Sequence, residues 1–298
     1  MLKRSLGEKV FNIFNLLGML VFSVIIIVPV LFVFRNSFEL SETSTTTLRL
    51  WPEQFSTVFY GMVLKDDSVY RPLLNSVFVT LVGTPLTLII NALGAYTMSK
   101  RELPGKNFFA YYMVIIPMLI GGGTIPGFLL IRSLGMIDTL WAIIVPGLAS
   151  GWNMTLIRNY YWSIPNELTE SARIDGAPEM TIFIKIILPL SKPVLSALGL
   201  LTGIGLWNTF YAAMIYIRSP IKWTFPVKIR ETVMKNEGND KLWEEMMVAA
   251  GLDPTELLIN QSGLGGAMMV TSMLPILIVY PFLQKYFAGG IMVGSVKG

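Results

Sequence analysis

Residues 165 to 193, PNELTESARIDGAPEMTIFIKIILPLSKP, form a charged stretch with Gly176 near its centre, and strongly apolar segments lie on both sides of it. The stretch contains four acidic and three basic residues, so it cannot lie in hydrocarbon. We therefore expect it to face water on one side of a bilayer, where it can dock against another protein.

The local pattern of this stretch predicts a helix, a turn and a second helix. Pro165 suits the first turn of a helix, Gly176 can supply the positive φ that ends it, and Pro178 starts the next one. The first helix has a short apolar stripe, formed by Leu168, Ala172 and Ile174. The residues of the second helix that are predicted to share a face are Met180, Phe183, Ile184 and Ile187.

The composition places the chain among membrane proteins. Of its 298 residues 53% are hydrophobic, and the mean hydropathy is +0.60. Six runs without a charged residue are each long enough to cross the hydrocarbon, which takes ~20 apolar residues. The runs are 11–34, 73–99, 107–131, 139–157, 193–217 and 257–284. The prediction is an all-α integral membrane protein, one domain over residues 1–298, with six transmembrane helices and a polar loop at 165–193.

The residue inventory excludes several kinds of chemistry. The chain has no cysteine and no histidine, which removes thiol nucleophiles, imidazole bases and the commonest metal ligands. The cluster Gly121–Gly123 lacks the lysine of a phosphate-binding loop. We assign no catalytic residue, metal site or cofactor to this chain. The net charge of +4 calls for no nucleic-acid partner, because basic residues at bilayer boundaries account for it.

The distribution of lysine and arginine gives a weak preference for one orientation. With the amino terminus in the cytoplasm, the inside segments are 1–10, 100–106, 158–192 and 285–298. The first two of these short segments carry three basic residues each, which favours this side. Both termini are then cytoplasmic, and the 165–193 stretch is a cytoplasmic loop.

Glycines predict breaks and close contacts within the apolar runs. Gly121–Gly123 and Pro126 interrupt the third run, either as a turn that ends the span near Ile120 or as part of an outer gate. Gly147 with Gly151 and Gly199 with Gly203 both have the G-x-x-x-G spacing, which is typical of closely packed helices.

The polar loop resembles a known family, the membrane-spanning subunits of bacterial binding-protein-dependent ABC importers. Their cytoplasmic loop has Glu-Ala-Ala, then Asp-Gly-Ala, then Leu-Pro, and Ser171 departs from the usual second alanine. The matching residues here are Glu170, Ser171, Ala172, Asp175, Gly176, Ala177, Leu188 and Pro189. The pair Trp207 and Asn208 and the terminal VKG look like the carbohydrate-uptake branch.

The resemblance implies a heteromeric complex in the bacterial cytoplasmic membrane. This chain would pair with a second, homologous permease and contact two copies of an ABC ATPase subunit and an extracytoplasmic solute-binding protein. ATP and Mg would bind the ATPase subunits, and hydrolysis there would drive alternating access for a sugar or oligosaccharide. Glu170, Ser171, Ala172, Asp175, Gly176 and Ala177 would couple this chain to the ATPase.

Other functions remain open at this point. A secondary transporter needs an intramembrane carboxylate or histidine for its coupling ion, and the six runs contain neither. A channel is disfavoured because charged rings are absent from the runs, and an intramembrane enzyme because no acid, base and nucleophile cluster is evident. The two alternatives to a sugar importer are a secondary transporter and an ABC permease for a solute other than a sugar.

An aromatic side chain beside an amide is a suitable lining for a sugar path. Two such pairs occur, Trp152 with Asn153 and Trp207 with Asn208, and Trp207 lies near the middle of its run. Tyr211, four residues after Trp207, is predicted to share its helix face. The predicted path residues are Asn153, Trp207, Asn208 and Tyr211, and ordinary helix packing is the alternative for each.

Overall fold

A computed structural model describes residues 6–40, 49–100, 102–235, 248 and 261–290. These residues are mostly helical, and within them the one β feature is an isolated antiparallel bridge between Glu39 and Phe55. They group into two compact units, Met1–Val69 with Ile229–Met273 and Tyr70–Lys228 with Leu274–Gly298.

The first half of the chain forms α1 Leu6–Phe38, α2 Val58–Lys65, α3 Asp67–Ser99, α4 Lys106–Phe108, a π-helix Phe109–Ile115, α5 Ile116–Leu119, α6 Thr124–Ser133, α7 Trp141–Ile144 and a 3-10 turn Val145–Gly147. The second half forms α8 Gly151–Tyr161, α9 Asn166–Ile174, α10 Glu179–Ile182, a π-helix Phe183–Ile187, α11 Leu188–Leu190, α12 Lys192–Trp207, α13 Tyr211–Tyr216, a 3-10 turn Pro220–Lys222, α14 Phe225–Lys235 and α15 Gln261–Gly290.

The first unit packs the end of α1 against α2 and the start of α15. Phe59 of α2 and Leu264 and Met268 of α15 are fully buried. Gly263 is required where α15 passes α2, because a Cβ at that position would overlap the Phe59 ring. Gly266 lies against the α1 backbone in the same way, with Val33 O 3.2 Å from its ideal Cβ.

In the second unit, two glycines of α12 allow it to pack closely against α3. An ideal Cβ on Gly199 lies 3.1 Å from Leu88, and one on Gly203 lies 3.4 Å from Thr84 Oγ1. The predicted packing role of this glycine pair is confirmed. Of the other pair only Gly151 makes a close approach, with Val114 O at 2.9 Å, whereas Gly147 faces open space.

Within the described residues, three of the apolar runs are interrupted rather than continuous. The third run breaks after α5 at Ile120, where the glycine cluster predicted a turn, and α6 resumes at Thr124. The fourth run breaks between Gly147 and Gly151, and the fifth breaks between Trp207 and Tyr211. The continuous helices expected over 139–157 and 193–217 are therefore wrong.

A buried amide explains how the fourth run tolerates its break. Asn91 of α3 is fully buried, and its Nδ2 donates to Leu148 O at 2.8 Å. Its Oδ1 accepts from Ser150 N at 2.8 Å, so one side chain satisfies a freed carbonyl and a freed N–H. Irregular backbone in a membrane protein needs such partners, because lipid offers none.

Three described helices are long and apolar enough to cross a membrane, namely Gly7–Phe38, Asp67–Ser99 and Ser262–Pro281. Glu179–Leu190 and Lys192–Trp207 meet at 77° and would add a fourth if counted together. Because the first of these two carries Glu179 and Lys185, we treat only Lys192–Trp207 as a membrane segment.

Candidate functional site

Residues 166–190 form two helices joined by a tight turn, which we call the helix pair. Gly176 has φ 77° and follows the C-cap residue Asp175 of α9. Its N–H donates to Arg173 O at 2.9 Å, and the N–H of Ala177 donates to Ala172 O at 2.9 Å. These two bonds form a Schellman motif, so the predicted glycine-dependent end of the first helix is confirmed.

The first helix exposes most of its surface, including apolar side chains. Of the predicted apolar stripe, Ile174 is 86% exposed and Leu168 is also exposed. Ala172 and Ala177 do pack against a core that includes Ala92, Ile157 and Phe183. Small side chains there let α9 lie close to its own chain, while Glu170 and Ser171 point outward and are exposed.

The four residues of the second helix that were predicted to share a face do not all lie on one face. Ile182, Phe183 and Ile187 are buried, whereas Met180 and Ile184 are exposed. Residues Phe183–Ile187 form a π-helix, in which the N–H of Leu188 bonds back to Phe183 O. The i→i+5 spacing shifts the register from the α-helical one that the prediction assumed.

Glu179 anchors the helix pair to the end of α3. Its carboxylate pairs with Lys100 Nζ at 2.7 Å and Arg173 at 2.8 Å, and it accepts from the Tyr96 hydroxyl at 2.6 Å. Burial raises the pKa of Glu179, but hydrogen bonds from Lys100 and Tyr96 outweigh that effect and lower it to about 2. The side chain is half exposed, so this anchor is modest in energy.

Asp175 does not hold the turn through its side chain. No hydrogen bond from a nearby backbone N–H group to its carboxylate occurs within the described ranges. The turn is held by the backbone bonds of Gly176 and Ala177 instead. The Asp175 carboxylate is therefore exposed and available to a partner.

The four predicted path residues lie in different environments. Trp207 is 4% exposed and lines an apolar groove of about 710 Å³ between α3, α12 and α15, whereas Tyr211 is 61% exposed. The two do not share a face, because α12 ends at Trp207 and α13 starts at Tyr211. Asn208 is the exposed C-cap of α12, and the backbone N–H of Asn153 bonds to the Ser150 hydroxyl at 3.3 Å.

A second polar cluster, which the sequence did not reveal, centres on Asp138 between α6 and α7. Its Oδ1 accepts from the N–H groups of Arg218 and Ser219, at 3.0 and 2.9 Å. Its Oδ2 accepts from the Ser219 hydroxyl at 2.7 Å and Lys222 Nζ at 3.0 Å. We call this set the Asp138 clamp. Asp138 has φ 61°, a left-handed conformation that aspartate tolerates better than most residues.

The clamp fixes the charge of its own carboxylate. Hydrogen bonds from the backbone N–H and hydroxyl of Ser219 lower the pKa of Asp138 well below its usual range, and Lys222 and Arg218 add to this effect. Partial burial works in the opposite direction and is outweighed. The only sequence signal is a lone aspartate between two apolar runs, and its partners lie about 80 residues away.

The clamp and the helix pair belong to opposite ends of α3. Near the start of α3, Asn75 donates to Ile221 O and Trp223 O, both at 2.9 Å, which places the segment of the clamp there. Near its end, Tyr96 and Lys100 hold Glu179 of the helix pair. Twenty-one residues of helix separate Asn75 from Tyr96, or ~30 Å, which is about the thickness of the hydrocarbon core.

Several helices are long enough to span a membrane, and one interrupted run has its freed backbone groups bonded by Asn91. Together with the exposed polar helix pair, these features define a polytopic α-helical membrane protein. The family model described as "Binding-protein-dependent transport system inner membrane component" matches residues 1–293. The chain therefore belongs to this family of transport components, which are not enzymes.

Individual relatives agree over nearly the whole chain. The polygalacturonan/rhamnogalacturonan transport system permease protein YtcP of Bacillus subtilis (strain 168) is 37% identical over 281 residues, covering 94% of this chain and 96% of its own. The arabinooligosaccharides transport system permease protein AraQ of the same organism is 28% identical and covers both chains completely. A chain in the crystal structure of a bacterial ABC transporter involved in the import of the acidic polysaccharide alginate has a TM-score of 0.86 at 29% identity, with 96% of this chain and 100% of that chain covered.

Proposed function

We propose that this chain is a membrane-spanning subunit of an ATP-driven importer of poly- or oligosaccharides. The observation that carries the proposal is the family match over residues 1–293. It is supported by relatives named for the transport of polygalacturonan, rhamnogalacturonan, arabinooligosaccharides and alginate. The chain carries an exposed helix pair at the family-like loop, as an importer subunit would need for a partner that supplies energy.

Six spans arise if each interrupted run crosses the membrane as two helical pieces. The Asp138 clamp and the helix pair then fall on opposite sides, as the ~30 Å between their contacts on α3 requires. We place the helix pair and both termini in the cytoplasm, following the basic residues of segments 1–10 and 100–106.

The helix pair would be the contact for the ATPase. Glu170, Ser171 and Asp175 are exposed and offer a hydroxyl and two carboxylates to a basic cleft, with exposed Leu168 and Ile174 beside them. Ala172 and Ala177 would act indirectly, because they seat α9 against its own chain. Gly176 sets the angle between the two helices.

Movement of the helix pair would transmit the ATPase cycle to the path. ATP and Mg bind the two ATPase subunits, whose closure moves the helix pair with α3 through the Glu179 anchor. A second, homologous permease completes the path, and a solute-binding protein delivers the saccharide from the other side. Asn153, Trp207, Asn208 and Tyr211 remain the proposed lining, with Asn208 and Tyr211 exposed.

Co-purification of the complex with Glu170→Lys tests this function. The variant should insert normally but retain less ATPase and take up less labelled oligosaccharide, because the charge reversal opposes a basic partner. Glu102→Lys is the matched control, since it makes the same charge change at another exposed position on the proposed cytoplasmic side.

The outcomes separate the parts of the proposal. Normal ATPase binding and uptake by Glu170→Lys would remove the coupling role from this helix. Uptake of amino acids but not oligosaccharides by the wild-type complex would leave the permease assignment in place and overturn the substrate class.

A further inference from the structure

Residues 49–56 are tied to the carboxyl end of α1 by several hydrogen bonds. Leu40 N donates to Gln54 O at 3.1 Å, and Ser56 N donates to Phe38 O at 2.8 Å. The buried carboxylate of Glu39 accepts from the N–H groups of Glu53 and Gln54, at 2.7 and 3.0 Å. These bonds fix residues 49–56, which we call the hairpin arm, relative to α1.

An aromatic ladder joins the hairpin arm to the surface of α1. Phe34 meets Phe38 edge to face with ring centroids 5.0 Å apart, and Phe38 stacks on Phe55 at 4.9 Å and 9°. Tyr60 of α2 also contacts Phe38, at 4.9 Å, and its hydroxyl bonds to Ser37. The rings of Phe34 and Phe38 on α1 are therefore in continuous contact with the ring of Phe55 on the hairpin arm.

The arm presents apolar side chains outward although its backbone is firmly held. Trp51 is 78% exposed, Phe55 is 65% exposed and Leu50 is also exposed. No residue of α1 from 7 to 34 is buried, and this helix is apolar enough to span a membrane. The aromatic ladder therefore lies next to the lipid that surrounds α1.

We propose that Leu50, Trp51 and Phe55 of the hairpin arm insert into the interfacial layer of the bilayer beside the end of α1. Trp51 suits this depth, because its indole has an apolar body and an N–H that reaches headgroups or water. The ion pair between Arg49 and Glu53 supplies the polar side of the arm. The arm so placed fixes the depth of α1 and of the loop that follows it.

Spin labelling tests this placement without altering the two aromatic residues. The chain has no cysteine, so Leu50→Cys gives a single labelling site next to Trp51. The measurement is the ratio of the collision rate with oxygen to that with a water-soluble nickel chelate, in the intact complex in phosphatidylcholine vesicles. This ratio should be several-fold higher for the label at position 50 than for a label at Ser68→Cys. Ser68 is exposed in the same unit and precedes the apolar run of α3.

A second variant shows whether the aromatic residues cause the insertion. Adding Trp51→Ser and Phe55→Ser to Leu50→Cys should bring its accessibility towards that of Ser68→Cys. Equal nickel accessibility at positions 50 and 68 in vesicles would overturn the proposal. Protection at position 50 that appears only after a solute-binding protein is added would also overturn it, because the surface would then serve that protein.

Discussion

The Asp138 clamp and the helix pair lie at opposite ends of α3 and are built differently. The clamp joins two loops through four hydrogen bonds to one partly buried carboxylate, two of them from backbone N–H groups. The helix pair is held to the end of α3 by one half-exposed carboxylate and by packing of Phe183 on Tyr96, and it leaves most of α9 in solvent. One end of the unit is thus fastened within the chain, and the other keeps polar and apolar groups free for a partner.

The difference between the two ends shows how one chain can be stable at one end and able to respond to a partner at the other. Substitutions in the clamp should lower stability, because they leave backbone N–H groups unpaired. Substitutions on the exposed face of the helix pair should lower coupling to a partner while stability hardly changes. The following predictions test that division, beginning with the largest expected effect.

Gly176→Val should reduce transport by about tenfold or more, because a β-carbon at positive φ costs ~1–2 kcal/mol and the turn would open. Uptake and retained ATPase are the measurements. Gly105→Val is a matched control, since Gly105 has φ 78° and, like Gly176, open space around its ideal Cβ. If both variants lose transport equally, strain in general and not the helix pair is responsible.

Asp138→Ala should lower the free energy of unfolding by about 2–4 kcal/mol, because four donors lose a charged acceptor. Asp138→Asn should lose less than half as much, since asparagine adopts left-handed backbone and still accepts from N–H groups. Thermal unfolding of the purified complex measures both. An unchanged midpoint for Asp138→Ala would show that the clamp does not stabilise this end.

The same clamp predicts an acid dependence with a definite sign. Because folding lowers the pKa of Asp138, its stabilisation is complete above the unfolded value of ~3.9 and is lost as the pH falls towards the folded pKa. Wild-type stability should exceed that of Asp138→Asn by a constant amount from pH 5 to 7 and by less below pH ~4. A difference that grows on acidification would contradict the direction of the shift.

The proposed path residues should affect substrate binding rather than stability. Asn208→Ala and Tyr211→Ala should each raise the apparent KM for the native saccharide by about 3–10-fold, the usual worth of one hydrogen bond. Tyr211→Phe keeps the ring and separates stacking from hydrogen bonding. Unchanged kinetics in both alanine variants would end the path assignment.

Glu179→Gln should have the smallest effect on stability, at most ~1 kcal/mol, because its ion pairs are half exposed to solvent. Transport should fall by more than stability if this carboxylate transmits movement to α3. The ratio of ATP hydrolysed to saccharide imported is the measurement. A large loss of stability with normal coupling would make the helix pair resemble the clamp.

The features that depend on a single residue type could be predicted from the sequence. Gly176 was identifiable because few other residues adopt φ near 77° cheaply, and the break at Ile120 followed from three adjacent glycines. The class of protein followed from runs without charge. Family resemblance then supplied the coupling residues, whose contacts with a partner remain predictions.

The features that were missed depend on distant partners or on register. The break before Gly151 is satisfied by Asn91, which lies 59 residues from Ser150, and nothing local signals it. The shared face predicted for α10 and the π-helix after it was wrong, because one π-helical turn shifts the register of the side chains. Asp138 looked like an ordinary loop residue because Ser219 and Lys222 meet it only in the folded chain.

The proposed coupling depends on contact between the helix pair and the ATPase, and site-specific cross-linking tests this contact. Ser171→Cys introduces a single cysteine on the exposed face of α9, and Ser68→Cys provides an exposed control near the other end of α3. In the intact complex, a short thiol cross-linker should join position 171 to the ATPase in a yield that changes with bound nucleotide, and should not join position 68 to it. Cross-linking of the ATPase to neither position, or to position 68 alone, would contradict the account.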